Sequence, residues 1–511
     1  LKRRFLIAAL AATFAISGCA PTTSSTSVQL PSPGPAVVQS PPALREQWLE
    51  MFARGYFPGR SGQVFVVPKD NEFVTYRDPL YRFMHGSPHD YDTHIPLLFH
   101  GAAFVTAGVY SQPATQQDIA PTIGEIIGAP WSATYTGRVL TEAMRARTAR
   151  PRIVTVIVVD AMRADYFDTH AAVLPTLTRL RREGAWFAET RATTVPTVTG
   201  VGHANIGTGS DPRMHGITVN QIFNRITGKP QEAYDRLDTR ELMTPTLADL
   251  WNLATDGHAV IIGQGGAIRA TAGLVGHGAC LLSARKVFGA SYGGADGGWE
   301  TNPECYTMPP ALTRFVGRKV WEAAGGTWLG HDIASASKFR ASALFQKYEA
   351  EALRAVVEES PAGADEVTDL ILVNLKGPDY TAHAYGPDSK ELRETLIELD
   401  RQMAAYLALI DEKAGPGRSL LVMSADHGTP SEPTRRMYSD EIIAALNKKF
   451  DPQGRFIQHY ADPANNQLHI DVARLKSLGF SLKDVAQFLE TGFFAAAFTE
   501  PEVQAAQRRL K

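Results

Sequence analysis

Cysteine is nearly absent from this chain, with three in 511 residues: Cys19, Cys280 and Cys305. So few exclude a disulfide-built scaffold and any four-thiolate metal site. An excess of charge of one sign is missing too, since 51 lysines and arginines face 53 acids and leave a formal net charge of −2. A near-neutral chain gives no reason to expect nucleic acid or an anionic surface as its main partner. Long apolar runs are also lacking, and even Phe5–Ile16 is too short to span a bilayer. What remains is enough chain for one large α/β core with insertions, or for two domains.

The amino terminus reads as an export signal: Lys2-Arg3-Arg4, the apolar run, then Ser17-Gly18-Cys19. Ile16-Ser17-Gly18-Cys19 resembles a bacterial lipobox, which implies cleavage before Cys19 and lipid attachment to it. The expected product is tethered to a bacterial membrane on the periplasmic or outer side, the alternative being an ordinary signal with an incidental cysteine. Residues 20–44, rich in Pro, Ser and Thr, suit a disordered tether, with a single catalytic domain expected over 45–511. For Cys280 and Cys305, a bridge and two buried thiols both stay open.

Short aliphatic runs at Gln63–Val67, Ile95–Phe99, Ile153–Val159, Ala259–Ile262, Leu370–Leu375 and Leu420–Met423 read as strands buried on both faces. Helical patterns such as Leu174–Glu183 and Glu391–Glu412 separate several of them. The expectation is an α/β fold, a doubly wound and mainly parallel sheet flanked by helices. Ligands of such sheets collect beyond the carboxyl ends of the strands. Asp160, Asp379, Asp426 and His427 all fall at or just past such ends, and His383 follows Asp379 by four residues. One acid in such a place is an ordinary helix cap; their joint placement argues for a single metal site.

Five segments resemble the alkaline phosphatase superfamily, in its type I phosphodiesterase / nucleotide pyrophosphatase and related phosphatase branch. They are Val156–Tyr166 (VIVVDAMRADY), Thr199–Gly209 (TGVGHANIGTG), His215–Asn220 (HGITVN), Lys376–His383 (KGPDYTAH) and Ser424–Gly428 (SADHG). The resemblance implies hydrolysis of a small phosphate ester at two divalent ions, zinc by ligand type. Asp379, His383 and His85 would hold one ion; Asp160, Asp426, His427 and Thr199 the other. Thr199 would be the nucleophile and pass through a phosphothreonine, with Thr197 as the competing threonine. Asn220 would donate to a phosphoryl oxygen and Arg269 would contact phosphate, while Ala267 stands where monoesterase relatives carry a lysine.

That departure favours diesters, which carry one charge fewer, over a monoesterase proper. His203 and His215 read as structural, and His94 competes with His85 for the last ligand position, with Asp90 and Asp92 orienting histidines or capping the turn. Residues 263–345 are expected to hold an insertion that shapes the substrate site. The His85–Gly101 block resembles a piece that relatives carry near the carboxyl end, so residues 45–145 look circularly permuted. A threonine nucleophile argues against a sulfatase, export argues against a cofactor-independent mutase, and a complete ligand set argues against a surface-binding lipoprotein with a dead site.

Overall fold

The computed structural model describes residues 41–146, 149–282, 287–460 and 463–510. The expected signal, Cys19 and most of the tether lie outside the described residues. Residues 41–44 do not belong to a tether, because the helix Pro41–Gly55 already begins there. Its two leading prolines suit the first helical positions, where no N–H donor is needed.

A mixed sheet of nine strands organises the chain, in the order Gly298–Glu300, Val287–Gly293, Ile261–Gly265, Asp369–Leu375, Ile153–Val159, Ser419–Ser424, Leu97–His100, Ala185–Phe187, Gly108–Tyr110. The run from Val287–Gly293 to Ser419–Ser424 is parallel throughout. Every residue of Ile153–Val159 and of Asp369–Leu375 is buried, because helices cover both faces. Val154, Val156 and Val158 pack with Ile123, Ala204 and Leu274 on one side. Ile153, Ile157 and Val159 pack with Leu177, Leu396 and Leu399 on the other. Thr155 joins the second face, its hydroxyl paired with that of Tyr406 at 2.9 Å.

Two expected strands are buried as read but partnered otherwise. Leu97–His100 pairs antiparallel with Ser419–Ser424, and Val64–Val67 sits in a separate sheet, antiparallel to Gln467–Ile470 and Ala496–Thr499. An apolar run reports burial, not direction or neighbour. Residues 45–145 thus form no module of their own. The Gln507 amide donates to the carbonyls of Ala53 and Tyr56 at 2.8 and 2.7 Å, so the two ends of the described chain meet.

Within 263–345, Val287–Gly293 is a strand of the main sheet, parallel to Ile261–Gly265. Cys280 and Cys305 are disulfide-bonded. Among the described residues no helix is long and apolar enough to cross a membrane.

Candidate metal centre and nucleophile

Three adjacent parallel strands deliver three acids to one place. Asp160 follows Ile153–Val159, Asp426 follows Ser419–Ser424, and Asp379 lies on the helix Gly377–Tyr385 that leaves Asp369–Leu375. His383 stands one helical turn beyond Asp379 and shares its face. Thr199 opens the helix Thr199–Thr208, at the amino end that favours an anion. Gly202 in that helix has no substitute: a Cβ there would lie 2.6 Å from both Cβ and the carbonyl oxygen of Asp426.

His85 arrives from a loop distant in sequence, its Nε2 3.6 Å from Asp379 Oδ1. His383 Nε2 lies 3.4 Å from the same oxygen. His427 Nε2 lies 3.2 Å from Asp426 Oδ2 and 3.5 Å from Asp160 Oδ1. In all three rings Nδ1–H donates to a backbone carbonyl: His85 to Thr197 at 2.8 Å, His383 to Phe83 at 2.6 Å, His427 to Gly428 at 2.9 Å. That fixes one tautomer and turns each Nε2 lone pair toward the acids, as metal ligation requires.

The donors fit a divalent ion. Asp379 Oδ1, Asp426 Oδ2 and His427 Nε2 are buried without a well-formed hydrogen bond, a state that costs free energy unless a cation answers it. His85, Asp379 and His383 each bring a ligand atom within 4.8 Å of the others, as do Asp160, Asp379 and His427. Burial, then the charge of Asp426, pushes the Asp160 carboxyl well above its ordinary value. Against the burial that would raise it, His383, Lys376 and His85 hold Asp379 well below the usual carboxylate range.

Sequence reasoning missed two residues at this centre. Lys376, wholly buried, reaches Asp160 Oδ1 and Asp379 Oδ2 at 2.7 Å each, and Thr199 Oγ1 at 2.9 Å. Burial alone would lower its ammonium, but Asp160, Asp379 and Asp426 outweigh that and raise it. Asn374 donates to Asp160 Oδ2 at 2.9 Å and lies 3.0 Å from His203 Nε2. A lysine beside the Gly-Pro-Asp segment was the available signal, since a charged residue at the end of a fully buried strand needs partners.

The open side is a pocket of about 390 Å³ lined by Thr199, Asn220, Arg269, His85, His383 and Glu232, among others. Asn220 Oδ1 accepts from the Gly200 N–H at 2.9 Å, leaving its amide N–H groups free for the pocket. Arg269 is half-buried and makes no ion pair or hydrogen bond among the described residues. Its helix Ile268–Val275 crosses Thr199–Thr208 at close range, since a Cβ on Gly207 would lie 2.2 Å from the Gly273 carbonyl.

The competing residues are placed elsewhere. His94 gives Nε2 to the Ala188 carbonyl at 2.9 Å and takes no part in the acid cluster. Thr197 turns its hydroxyl to the Ser87 carbonyl at 3.0 Å while its own carbonyl holds His85. His203 has both nitrogens engaged, Nδ1 with the Thr199 carbonyl at 2.9 Å and Nε2 with Asn374, so it positions the loop. Asp92 accepts from the N–H groups of Gly86 and Ser87 at 3.1 and 2.8 Å and so shapes the His85 loop, whereas Asp90 pairs with Arg191.

His215 donates through Nε2 to Asn205 Oδ1 at 3.0 Å and accepts the Ile217 N–H at Nδ1. Burial, with Arg60 adding, lowers its pKa to about 3. Below its unfolded value of about 6.5 the unfolded chain binds a proton that the fold refuses, so stability falls as pH drops from there towards about 3. His215→Asn is expected to flatten that slope in denaturant titrations at fixed pH. An unchanged slope would remove His215 from the account.

With this geometry in place, the comparison with known families is decisive. A model of the type I phosphodiesterase / nucleotide pyrophosphatase family matches residues 154–486, well over half of the chain. The chain belongs to that family. Alkaline phosphatase PafA of Elizabethkingia meningoseptica is 26% identical over 410 residues, 67% of this chain and 73% of that protein. Alkaline phosphatase PhoV of Synechococcus elongatus is 24% identical over 56% of this chain and 60% of its own length. The crystal structure of PafA superposes with a TM-score of 0.54 at 22% identity, covering 68% of this chain and 77% of that one, and shows the same fold. Family membership and these relatives make the chain a phosphoric ester hydrolase.

Proposed function

We propose that the chain is a divalent-metal-dependent hydrolase of small phosphate esters that works through a phosphothreonine at Thr199. The observation that carries this reading is a threonine hydroxyl buried against the acid cluster, at the floor of a pocket whose walls hold an unpaired guanidinium and the free amide of Asn220. His85, Asp379, His383, Asp160, Asp426 and His427 would hold the metal, and zinc suits their mixed donors. Bound there, a divalent ion supplies charge that acidifies a hydroxyl and offsets the phosphoryl oxygens.

The chain's own residues do the rest. Arg269 and Asn220 orient the phosphoryl group above Thr199. The bond from Thr199 Oγ1 to phosphorus forms as the bond to the leaving oxygen breaks, and the threonine proton ends on the departing alcohol by way of solvent. Water then cleaves the threonine–phosphorus bond, releasing a phosphate monoester from a diester, or inorganic phosphate from a monoester, and restoring the hydroxyl.

Arg269 is the cation that opens to the pocket, with Glu232 in the same wall, which favours diesters over dianionic monoesters. The alkaline phosphatase names of the relatives support monoesters as the second reading. A panel of aryl mono- and diesters with matched leaving groups, assayed on the zinc-loaded protein, separates the two; a higher kcat/KM for monoesters would overturn the first. Arg269→Ala is expected to lower kcat/KM for the better substrate about 10- to 100-fold, the worth of a charged hydrogen bond.

We also propose that residues 45–145 are the permuted carboxyl-terminal piece of the family fold. Support comes from the matched range, which starts after them, and from the proximity of Gln507 to Ala53 and Tyr56. A chain with residue 510 linked to residue 45 and new termini between residues 145 and 152 should fold, bind metal and hydrolyse ester. An insoluble product that binds no metal would count against the permutation.

A further inference from the structure

Lys376 lies at the middle of the centre and belongs to neither ligand group. Its placement is built into the fold. The backbone N–H groups of Lys376 and Gly377 donate to the Glu349 carboxylate at 3.1 and 2.9 Å. Its Cβ packs where a side chain on residue 266 would be, for a Cβ on Gly266 would lie 2.4 Å from it. With no exposed surface at all, the ammonium reaches no substrate pocket, and it touches what a metal ion would touch.

We propose that the Lys376 ammonium takes the place of one of two divalent ions, joining Asp160 to Asp379 and holding the Thr199 hydroxyl, so that the chain binds a single divalent ion. This rests on the reading of the centre as metal-dependent. Any ion held by Asp160 and Thr199 needs their oxygens at about 2 Å. Asp160 Oδ1 and Thr199 Oγ1 are the atoms that Nζ holds at 2.7 and 2.9 Å, and Asp160 Oδ2 already accepts from Asn374.

The remaining site is free of that competition. Asp379 Oδ1 and the Nε2 atoms of His85 and His383 face one another while Nζ takes the other Asp379 oxygen. Of the residues that could hold metal, the single ion therefore sits on three, His85, Asp379 and His383. With Asp160 and Thr199 taken, Asp426 Oδ2 and His427 Nε2, 3.2 Å apart, are two ligands where a catalytic zinc takes three from protein, and Asp426 Oδ1 accepts the N–H groups of Ala161 and His427 at 3.2 and 3.0 Å.

Charge points the same way. Asp160, Asp379 and Asp426, the ammonium and one divalent ion sum to zero. A second ion would leave a buried centre two charges positive, with an ammonium and a dication sharing the same oxygens where screening is weak.

The test is the number of ions that the full chain retains. Zinc-loaded protein, freed of loose metal by gel filtration, is analysed by plasma mass spectrometry for zinc per chain. One ion is expected in the parent and two in Lys376→Met or Lys376→Ser, where the oxygens are released. Two ions in the parent would overturn the substitution while leaving the metal-dependent reading intact. None would overturn both. A folded variant that stays at one ion also overturns it, and if neither variant folds, the parent count decides alone.

Discussion

Thr199→Ala is expected to lower kcat/KM for the better ester by at least about a thousandfold, the scale on which removing a nucleophile acts, while zinc content stays at the parent level. The hydroxyl lies 2.9 Å from Lys376 Nζ at the mouth of a helix, and its loss leaves the ammonium between Asp160 and Asp379. Nothing else in the ligand set is disturbed, so chemistry and metal binding should separate. Thr199→Ser keeps an oxygen at nearly the same point and should retain measurable turnover. Parent-like rates in Thr199→Ala would transfer the nucleophile to another group. A loss of zinc in parallel with activity would instead make Thr199 a structural element of the centre.

Asp379→Asn should act on the metal itself. One carboxylate oxygen faces both His85 and His383, and the other faces Lys376. The amide keeps the shape and removes the charge, so zinc affinity is expected to fall by more than the 10- to 100-fold, roughly, that outer-shell changes cost, and hydrolysis with it. Stability should fall as well, even in chelator. Against the burial that would raise it, His383, Lys376 and His85 hold the Asp379 carboxyl well below the usual carboxylate range, so above its unfolded value its charge stabilises the fold. The amide gives that up and leaves the buried Lys376 ammonium with Asp160 as its one remaining carboxylate. The metal-free variant should therefore melt below the metal-free parent. Unchanged zinc affinity would exclude Asp379 as a ligand.

Much of the centre was legible because its residues border signals that composition alone makes visible. Asp160 and Asp426 end runs that are apolar at nearly every position, and a run buried on both faces must belong to a central strand. Asp379 and His383 are spaced for one helix face. The five family-like segments then assigned Thr199 among four crowded threonines, and the structure points the Thr197 hydroxyl away from the acids. The partners of Lys376 and Asn374 were not legible, although the lysine's place at the end of a buried strand was. A lysine in a loop-like segment is normally solvated, and an asparagine inside a strand normally binds its own sheet. Both acquire their roles only from the acids that other strands carry to them.

The sequence by itself determined the class of fold, the ends of the central strands and the chemical types of the candidate ligands, because burial and local spacing are written into periodicity and composition. Tertiary structure decided which elements meet. It set Leu97–His100 antiparallel beside Ser419–Ser424, moved Val64–Val67 to a second sheet, and closed the bridge between Cys280 and Cys305. It also brought His85 rather than His94 to Asp379, although the two histidines stand nine residues apart on one segment. The physical reason is that pairing across hundreds of residues depends on the packing of whole faces and on which buried polar atoms find partners. Neither quantity belongs to any one stretch of the chain.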